Sequence, residues 1–163
     1  MDAERGARVV VGVDRTPQGL AALRTAVAEA AWRGLPLHAV RVEALWPDSD
    51  GKQIDAAFKD AFGGVPAGLT IERSVQSPPV ASALAEYADG PDDLLVIGGS
   101  GRGLWHALWS GSVTLVCTRK ARCEVLVVPA PPLARELRAR RPWRRRRPDL
   151  WSRFERETAG NRG

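Results

Sequence analysis

The chain is short of the residues from which metal and redox sites are built. Its 163 residues include two cysteines and two histidines. Cys117 and Cys123 are six apart. That spacing is neither a C-x-x-C redox pair nor half of a zinc site, and no second pair exists. His38 and His106 lie far apart in the chain. The two thiols therefore read as packing residues, buried or partly so. No apolar run approaches the ~20 residues of a membrane span, and the polar opening Met1-Asp2-Ala3-Glu4-Arg5 is unlike a signal peptide. The cytoplasm is the expected compartment. Signatures of catalysis are missing too: no Walker lysine motif, no nucleophile elbow, no His and carboxylate pair at meaningful spacing, no carboxylate cage for a cation.

What is present divides the chain in two. The net charge of +5 conceals an uneven distribution. Residues 1–132 hold 13 Lys and Arg against 15 Asp and Glu, a net −2, whereas residues 133–163 hold 11 Arg against 4 acids, a net +7. A mildly acidic body is thus followed by a basic extension, and the two call for different partners. Hydrophobic residues make up 44% of the chain, enough for one domain with a proper core.

Within the body, short Val-rich runs alternate with helical patterns. Arg8 to Val13 reads as a strand. Thr16 and Pro17 then open a helix, as capping residue and first helical position. Leu20, Leu23, Val27, Ala30 and Ala31 recur at a helical period until Gly34. Leu37 to Val42 is a second strand, Trp46 to Gly51 a polar loop, and Ile54 to Phe62 a short helix ended by Gly63-Gly64. Leu69 to Val75 is the third strand. Pro78-Pro79 open a helix that Asp89-Gly90-Pro91 close, and Asp93 to Ile97 is the fourth strand. Ser112 to Lys120 is a helix, Glu124 to Val128 a fifth strand, and Pro129, Pro131 and Pro132 end the fold. This alternation specifies an α/β domain: one five-stranded, mainly parallel sheet with helices on both faces, Rossmann-like. Ligands of such sheets bind outside the carboxyl ends of the strands. Asp14, the residues after Val42 and the loop from Gly98 all fall there.

The most telling stretch is Gly98-Gly99-Ser100-Gly101-Arg102-Gly103, directly after Leu94-Leu95-Val96-Ile97, with Gly111-Ser112 following. Glycines between a buried strand and a helix let the backbone turn and present N–H groups to an anion. Gly98, Gly101, Gly111 and Ser112 fit G-x2-G-x9-G-[S/T].

In this stretch, in Cys123-Glu124-Val125-Leu126-Val127-Val128-Pro129 and in the opening Val9-Val10-Val11-Gly12-Val13-Asp14, the chain resembles the universal stress protein family. The resemblance covers residues 7–130 and implies a universal stress protein domain; the tail lies outside it, and the clustered arginines of 133–163, which repel and cannot bury a core, read as a flexible extension. The family has members that bind ATP and carry the glycine motif, and members that lack it. By that resemblance the chain is an ATP-binding protein of the adenine-nucleotide alpha-hydrolase-like class, acting in the stress response as a nucleotide-responsive regulator. Asp14 would hydrogen-bond the adenine or its neighbourhood, and Val42 would offer backbone groups to the adenine edge. Gly98 and Gly101 would let the chain approach ribose and phosphates. Gly111 and Ser112 would bind phosphate at a helix start, where the dipole favours an anion. Arg102 would add a charge, and Mg²⁺ would bridge the phosphates. The resemblance also implies a homodimer through the last strand, where Val125, Val127 and Val128 suit an edge.

Gly99-Ser100 stands where the family often has Ser-His, and Arg15-Thr16 follows the Asp where it often has Gly-Ser or Phe-Ser. Arg15 is thus a cation near the mouth, able to help or block entry. Plainer roles stand beside the functional ones. Asp14 is also a helix-capping type, the glycine loop also a tight turn, Arg102 also a solvated arginine, His106 also a surface or packing residue. Trp105 and Trp109 suit packing or ring stacking. Three functional classes remain open: a nucleotide-responsive regulator, a weak ATPase of the same fold, and an interaction protein with an empty pocket. In the last, Arg140 to Arg147 around Trp143 would contact nucleic acid, acidic lipid or an acidic partner.

Overall fold

The computed structural model describes residues 6–43, 51–99 and 113–132. The chain divides into two units, Met1–Pro131 and Pro132–Gly163, and of the second only Pro132 is described.

In the first unit the elements run β1 (Val9–Gly12), α1 (Pro17–Arg33), β2 (Leu37–Val42), α2 (Lys52–Phe62), β3 (Ile71–Gln76), α3 (Val80–Tyr87), β4 (Leu94–Gly98), α4 (Val113–Lys120) and β5 (Glu124–Val128). The five strands are parallel in the order β3-β2-β1-β4-β5. Val9 stands opposite both Leu37 and Leu94, which places β1 in the centre with partners on each side. Leaving β1, the chain steps outward twice to β3, then crosses back over β1 to β4. The switch point of this doubly wound sheet therefore lies between β1 and β4.

Alternation along the central strands explains their continuous apolar sequence. Val9, Val11 and Val13 join Leu94 and Val96 under α1 and α2, with Leu23, Ala26, Ile54 and Phe58 above them. Val10 joins Leu95 and Ile97 on the opposite face, under Leu84 of α3 and Cys117 of α4. A strand buried on both sides has no polar face to show, so period two is hidden in a run of valines. No helix among the described residues is long and apolar enough to cross a membrane.

Local signals act as the sequence predicts at α1. The Thr16 hydroxyl accepts from the Gly19 N–H at 3.1 Å, Pro17 occupies the first helical position, and Gly34 ends the helix at φ 66° with its N–H on the Ala30 carbonyl. Several boundaries move: β1 is Val9–Gly12 rather than Arg8–Val13 and β4 is Leu94–Gly98 rather than Asp93–Ile97, shifts of one residue, and two elements move further. The second helix starts at Lys52, two residues earlier than Ile54, because Gly51 at φ 66° opens it and its carbonyl accepts from Ile54 and Asp55. The third strand is Ile71–Gln76 rather than Leu69–Val75. Its register is set by Leu37 against Ile71, while Gly68 at φ 77° keeps Leu69 in a turn from which its side chain still reaches the core. The Trp46-to-Gly51 loop, except Gly51, and the Ser112 start of the fourth helix lie outside the described residues.

Candidate functional site

Two of the residues singled out from sequence meet at the switch point. Asp14 follows the end of β1 and Gly98 ends β4, both at the carboxyl pole. They are joined through the first turn of α1. A Cβ on Gly19 would lie 2.0 Å from Asp14 Oδ1 and 2.7 Å from the Asp14 carbonyl oxygen. A Cβ on Gly98 would lie 2.9 Å from the Gln18 carbonyl carbon and oxygen and 3.2 Å from the Gly19 nitrogen. Glycine at both positions is what lets the N-terminal end of α1 lie against the strand ends. The space above Gly98 is thus used by α1 itself. Gly19 was not singled out from sequence. Its only signal is a glycine in the first turn of a helix, three residues after the cap.

Asp14 is exposed, and its Oδ1 accepts from the Thr16 N–H at 2.8 Å and from the Thr16 hydroxyl. Thr16, not Asp14, is the helix cap, and Asp14 braces it. The carboxylate remains at the surface of the switch point with a fixed orientation. Arg15 turns away, its Nε donating to Asp60 Oδ2 of α2 at 2.7 Å.

Val42, the last residue of β2, is half-buried. Neighbouring residues of a strand direct their backbone groups to opposite sides. The Glu43 N–H bonds the Gln76 carbonyl of β3 at 3.1 Å, and the Val40 carbonyl accepts from Val13 on the other side at 2.8 Å. By that alternation Val42 directs its N–H and carbonyl to the side of β1, beyond the last residue of β1. Gly99 is tied to the next strand, its N–H on the Val128 carbonyl at 2.7 Å. Gly101, Arg102, Gly111 and Ser112, with Trp105, His106 and Trp109, lie outside the described residues.

The remaining titratable groups with shifted behaviour stand away from this mouth. Burial pushes the Cys117 thiol up to about 11, helped by the nearby Cys123. Its Sγ contacts the Ala81 carbonyl at 3.5 Å. Burial raises Cys123 as well. Both are the packing thiols expected from sequence. Among the described residues no three His, Cys, Asp or Glu stand together as a metal-binding group. Sequence reasoning missed a second polar cluster, formed by Arg8, His38, Tyr87 and Asp93 at the amino ends of the strands. Its signal was a charge flanking each of two buried runs, Arg8 before Val9 and Asp93 before Leu94.

A family description, the universal stress protein family, matches residues 7–129. Among solved structures, the chain is similar to a universal stress protein in complex with cAMP, at 25% identity and a TM-score of 0.59 over 77% of this chain and 98% of that one. It is also similar in fold to a universal stress protein from Archaeoglobus fulgidus, at 24% identity and a TM-score of 0.57 over 76% of this chain and 98% of that one. A third similarity is to the universal stress protein from Archaeoglobus fulgidus in complex with dAMP, at 20% identity and a TM-score of 0.53, covering 76% of this chain and 98% of that one. No curated protein matches the chain.

Proposed function

Because the chain belongs to the universal stress protein family, we propose that it binds an adenine nucleotide at the carboxyl ends of β1 and β4 and acts as a nucleotide-responsive regulator in the stress response. One observation carries the reading: Asp14 presents an exposed carboxylate at the switch point of the sheet, where β1 and β4 end side by side. Similar folds in complex with cAMP and dAMP favour an adenine ligand.

The described residues fit such a ligand. Asp14 offers an exposed carboxylate to the base or sugar, and Val42 directs backbone groups beyond the end of β1. Gly101, Gly111, Ser112 and Arg102 would hold the phosphates through backbone N–H groups, a hydroxyl and a guanidinium. ATP is the proposed occupant. Mg²⁺ would be held chiefly by the phosphates, since no carboxylate cluster faces it among the described residues. Slow hydrolysis of ATP is the second reading, and it would show as turnover lost on Ser112→Ala.

The rest of the proposal concerns assembly. Residues 7–130 would be the stress-protein domain, working in the cytoplasm. The outer strand β5 carries Val125, Leu126, Val127 and Val128, and the other edge strand, β3, carries Glu72 and Arg73. The one charge of β5, Glu124, stands at the start of the strand and pairs with Arg33, so the apolar run after it leaves an edge open to pairing, and β5 is the proposed homodimer seam. The Arg-rich 133–163 would contact an anionic partner. An interaction protein with an empty pocket would keep that contact and lose the nucleotide.

Calorimetry with ATP, AMP and cAMP tests the site. Saturable binding weakened by Asp14→Ala and by Ser112→Ala is the expected result, together with nucleotide released on denaturing the purified protein. No binding, with no released nucleotide, overturns it.

A further inference from the structure

The amino ends of the strands form the pole opposite Asp14 and Gly98. There a polar cluster replaces apolar packing. Arg8, just ahead of β1, is 7% exposed, His38 in β2 is 7% exposed, and Asp93, just ahead of β4, is 5% exposed. Arg8 Nε donates to Asp93 Oδ2 at 3.2 Å, and Nη2 donates to Asp89 Oδ1 at 3.1 Å and to the Tyr87 carbonyl. The guanidinium also lies 5.1 Å from the centre of the Tyr87 ring. Arg8 thereby holds the last residue of α3 by its backbone and by its ring.

The Tyr87 hydroxyl lies 3.1 Å from His38 Nδ1. Glu72, the register partner of His38 on β3, places Oε2 3.6 Å from the same nitrogen. One ring atom thus stands between a partner on a helix and a partner on a strand.

We infer that His38 is a proton-operated clasp on α3: the neutral ring holds the Tyr87 hydroxyl and tightens the end of the helix, and the protonated ring turns to Glu72 and lets that hydroxyl go, leaving Arg8 as the remaining hold. In the neutral state we assign the ring proton to Nε2, so that Nδ1 accepts from the Tyr87 hydroxyl. Protonation converts Nδ1 to a donor, and a carboxylate is a far stronger acceptor than a phenol. The groups facing His38 are Glu72 from β3, Tyr87 from α3, Arg8 ahead of β1 and Asp93 ahead of β4; Asp89 and Asp93 counter the charge of Arg8. Burial, first, and Arg8 hold the His38 pKa below its ordinary 6.5, against Glu72 and Asp93. A ring released to water binds its proton more readily than the clasped one. The closed state is therefore fully favoured above pH 6.5 and loses ground as pH falls below it. The clasp does not depend on nucleotide binding.

The test uses the full chain. His38 ring protons are titrated by NMR, assigned through His38→Gln, and protection factors of the Val80–Tyr87 amides are compared at about pH 7.5 and about pH 5.5. The expected result is a His38 pKa below 6.5 and a fall in α3 protection on acidification. That fall is up to about tenfold for each unit by which the pKa lies below 6.5. His38→Gln should make α3 protection insensitive to pH over this range. Tyr87→Phe keeps the ring over Arg8 but removes the hydroxyl, so α3 should already be loosened at the higher pH and respond no further. Glu72→Gln should lower the His38 pKa again. A ring that titrates at or above 6.5, α3 protection equal at both pH values, or an undiminished response in either His38→Gln or Tyr87→Phe overturns the clasp. If His38→Gln does not fold, Tyr87→Phe decides.

Discussion

Gly98→Ala asks whether Gly98 serves the ligand or the fold. The added Cβ would sit 2.9 Å from the Gln18 carbonyl carbon and oxygen and 3.2 Å from the Gly19 nitrogen. Ordinary contact begins near 3.4 Å, so the first turn of α1 must retreat by about half an ångström. These are backbone atoms of a helix start that also holds the Thr16 cap and the Asp14 brace, so they cannot turn aside as a side-chain tip would. Overpacking of this kind costs about 1–3 kcal/mol. Gly98 does not occupy a positive-φ conformation, so alanine suits its backbone and returns about 0.4–1 kcal/mol through the unfolded chain. The difference is a net loss of roughly 0–2.6 kcal/mol, with a central value of about 1.3, which lowers Tm by roughly 3–7 °C for a domain of this size. Urea and thermal denaturation without nucleotide measure it. Gly99→Ala is the internal comparison, because its Cβ meets the Val127 methyl and the Val128 carbonyl oxygen at 3.3 Å and should cost less. A Gly98→Ala protein no less stable than Gly99→Ala would refute the close approach of α1. If the loss is found, Gly98→Val is a poor probe of nucleotide contact, and Asp14→Ala, which also removes the brace on Thr16, needs Ser112→Ala beside it.

Other expectations follow from the same geometry. Thr16→Ala removes the oxygen that accepts from Gly19 and should cost about 0.5–2 kcal/mol, read by urea denaturation; an unchanged midpoint would remove Thr16 as the cap. Arg8→Met leaves the Asp93 carboxylate, 4% exposed, without its cation and should cost about 3–5 kcal/mol. Arg8→Met with Asp93→Leu should recover a large part of that loss, and a double variant no better than the single one would show that the pair is not the reason. With Cys117 held near 11 by burial, only about one thiol in a thousand is ionised at pH 8. Maleimide labelling of Cys117 should therefore be slow in the native protein and fast in urea, with equal rates in both counting against burial.

Much of the fold was legible because several local signals agreed. Strand β2 begins and ends where its valines and flanking polar residues place it, and the same holds for β5 between Arg122-Cys123 and Pro129. In α1, a capping threonine, a proline at the first position and a closing glycine all point to one helix. The central strands β1 and β4 differ from the sequence reading by one residue at each end, and the larger shifts, of two residues, belong to β3 and α2. There the pattern is weak: β3 reads Ile-Glu-Arg-Ser-Val-Gln, and its start is decided by pairing with Leu37 rather than by its own residues. Register is a property of two strands, and one strand's sequence does not contain it.

The polar pole and the glycines show a different limit. Arg8, Asp93 and His38 look from sequence like ordinary charges at strand ends, where solvent is the default. They are buried because the parallel sheet brings the starts of β1, β2 and β4 side by side and the end of α3 lands on them. Separations of 85 and 49 residues, for Arg8 to Asp93 and for His38 to Tyr87, put those contacts beyond any local pattern. The glycines are ambiguous for another reason. A residue without a Cβ is required wherever backbone must come close, whether the neighbour is a phosphate or a helix. At Gly98 the neighbour is α1, so the first glycine of the nucleotide motif has a structural cause independent of any ligand. The motif's chemical weight therefore rests on Gly101, Gly111 and Ser112. Those are the positions at which a substitution would separate a nucleotide binder from a fold that merely keeps the turn.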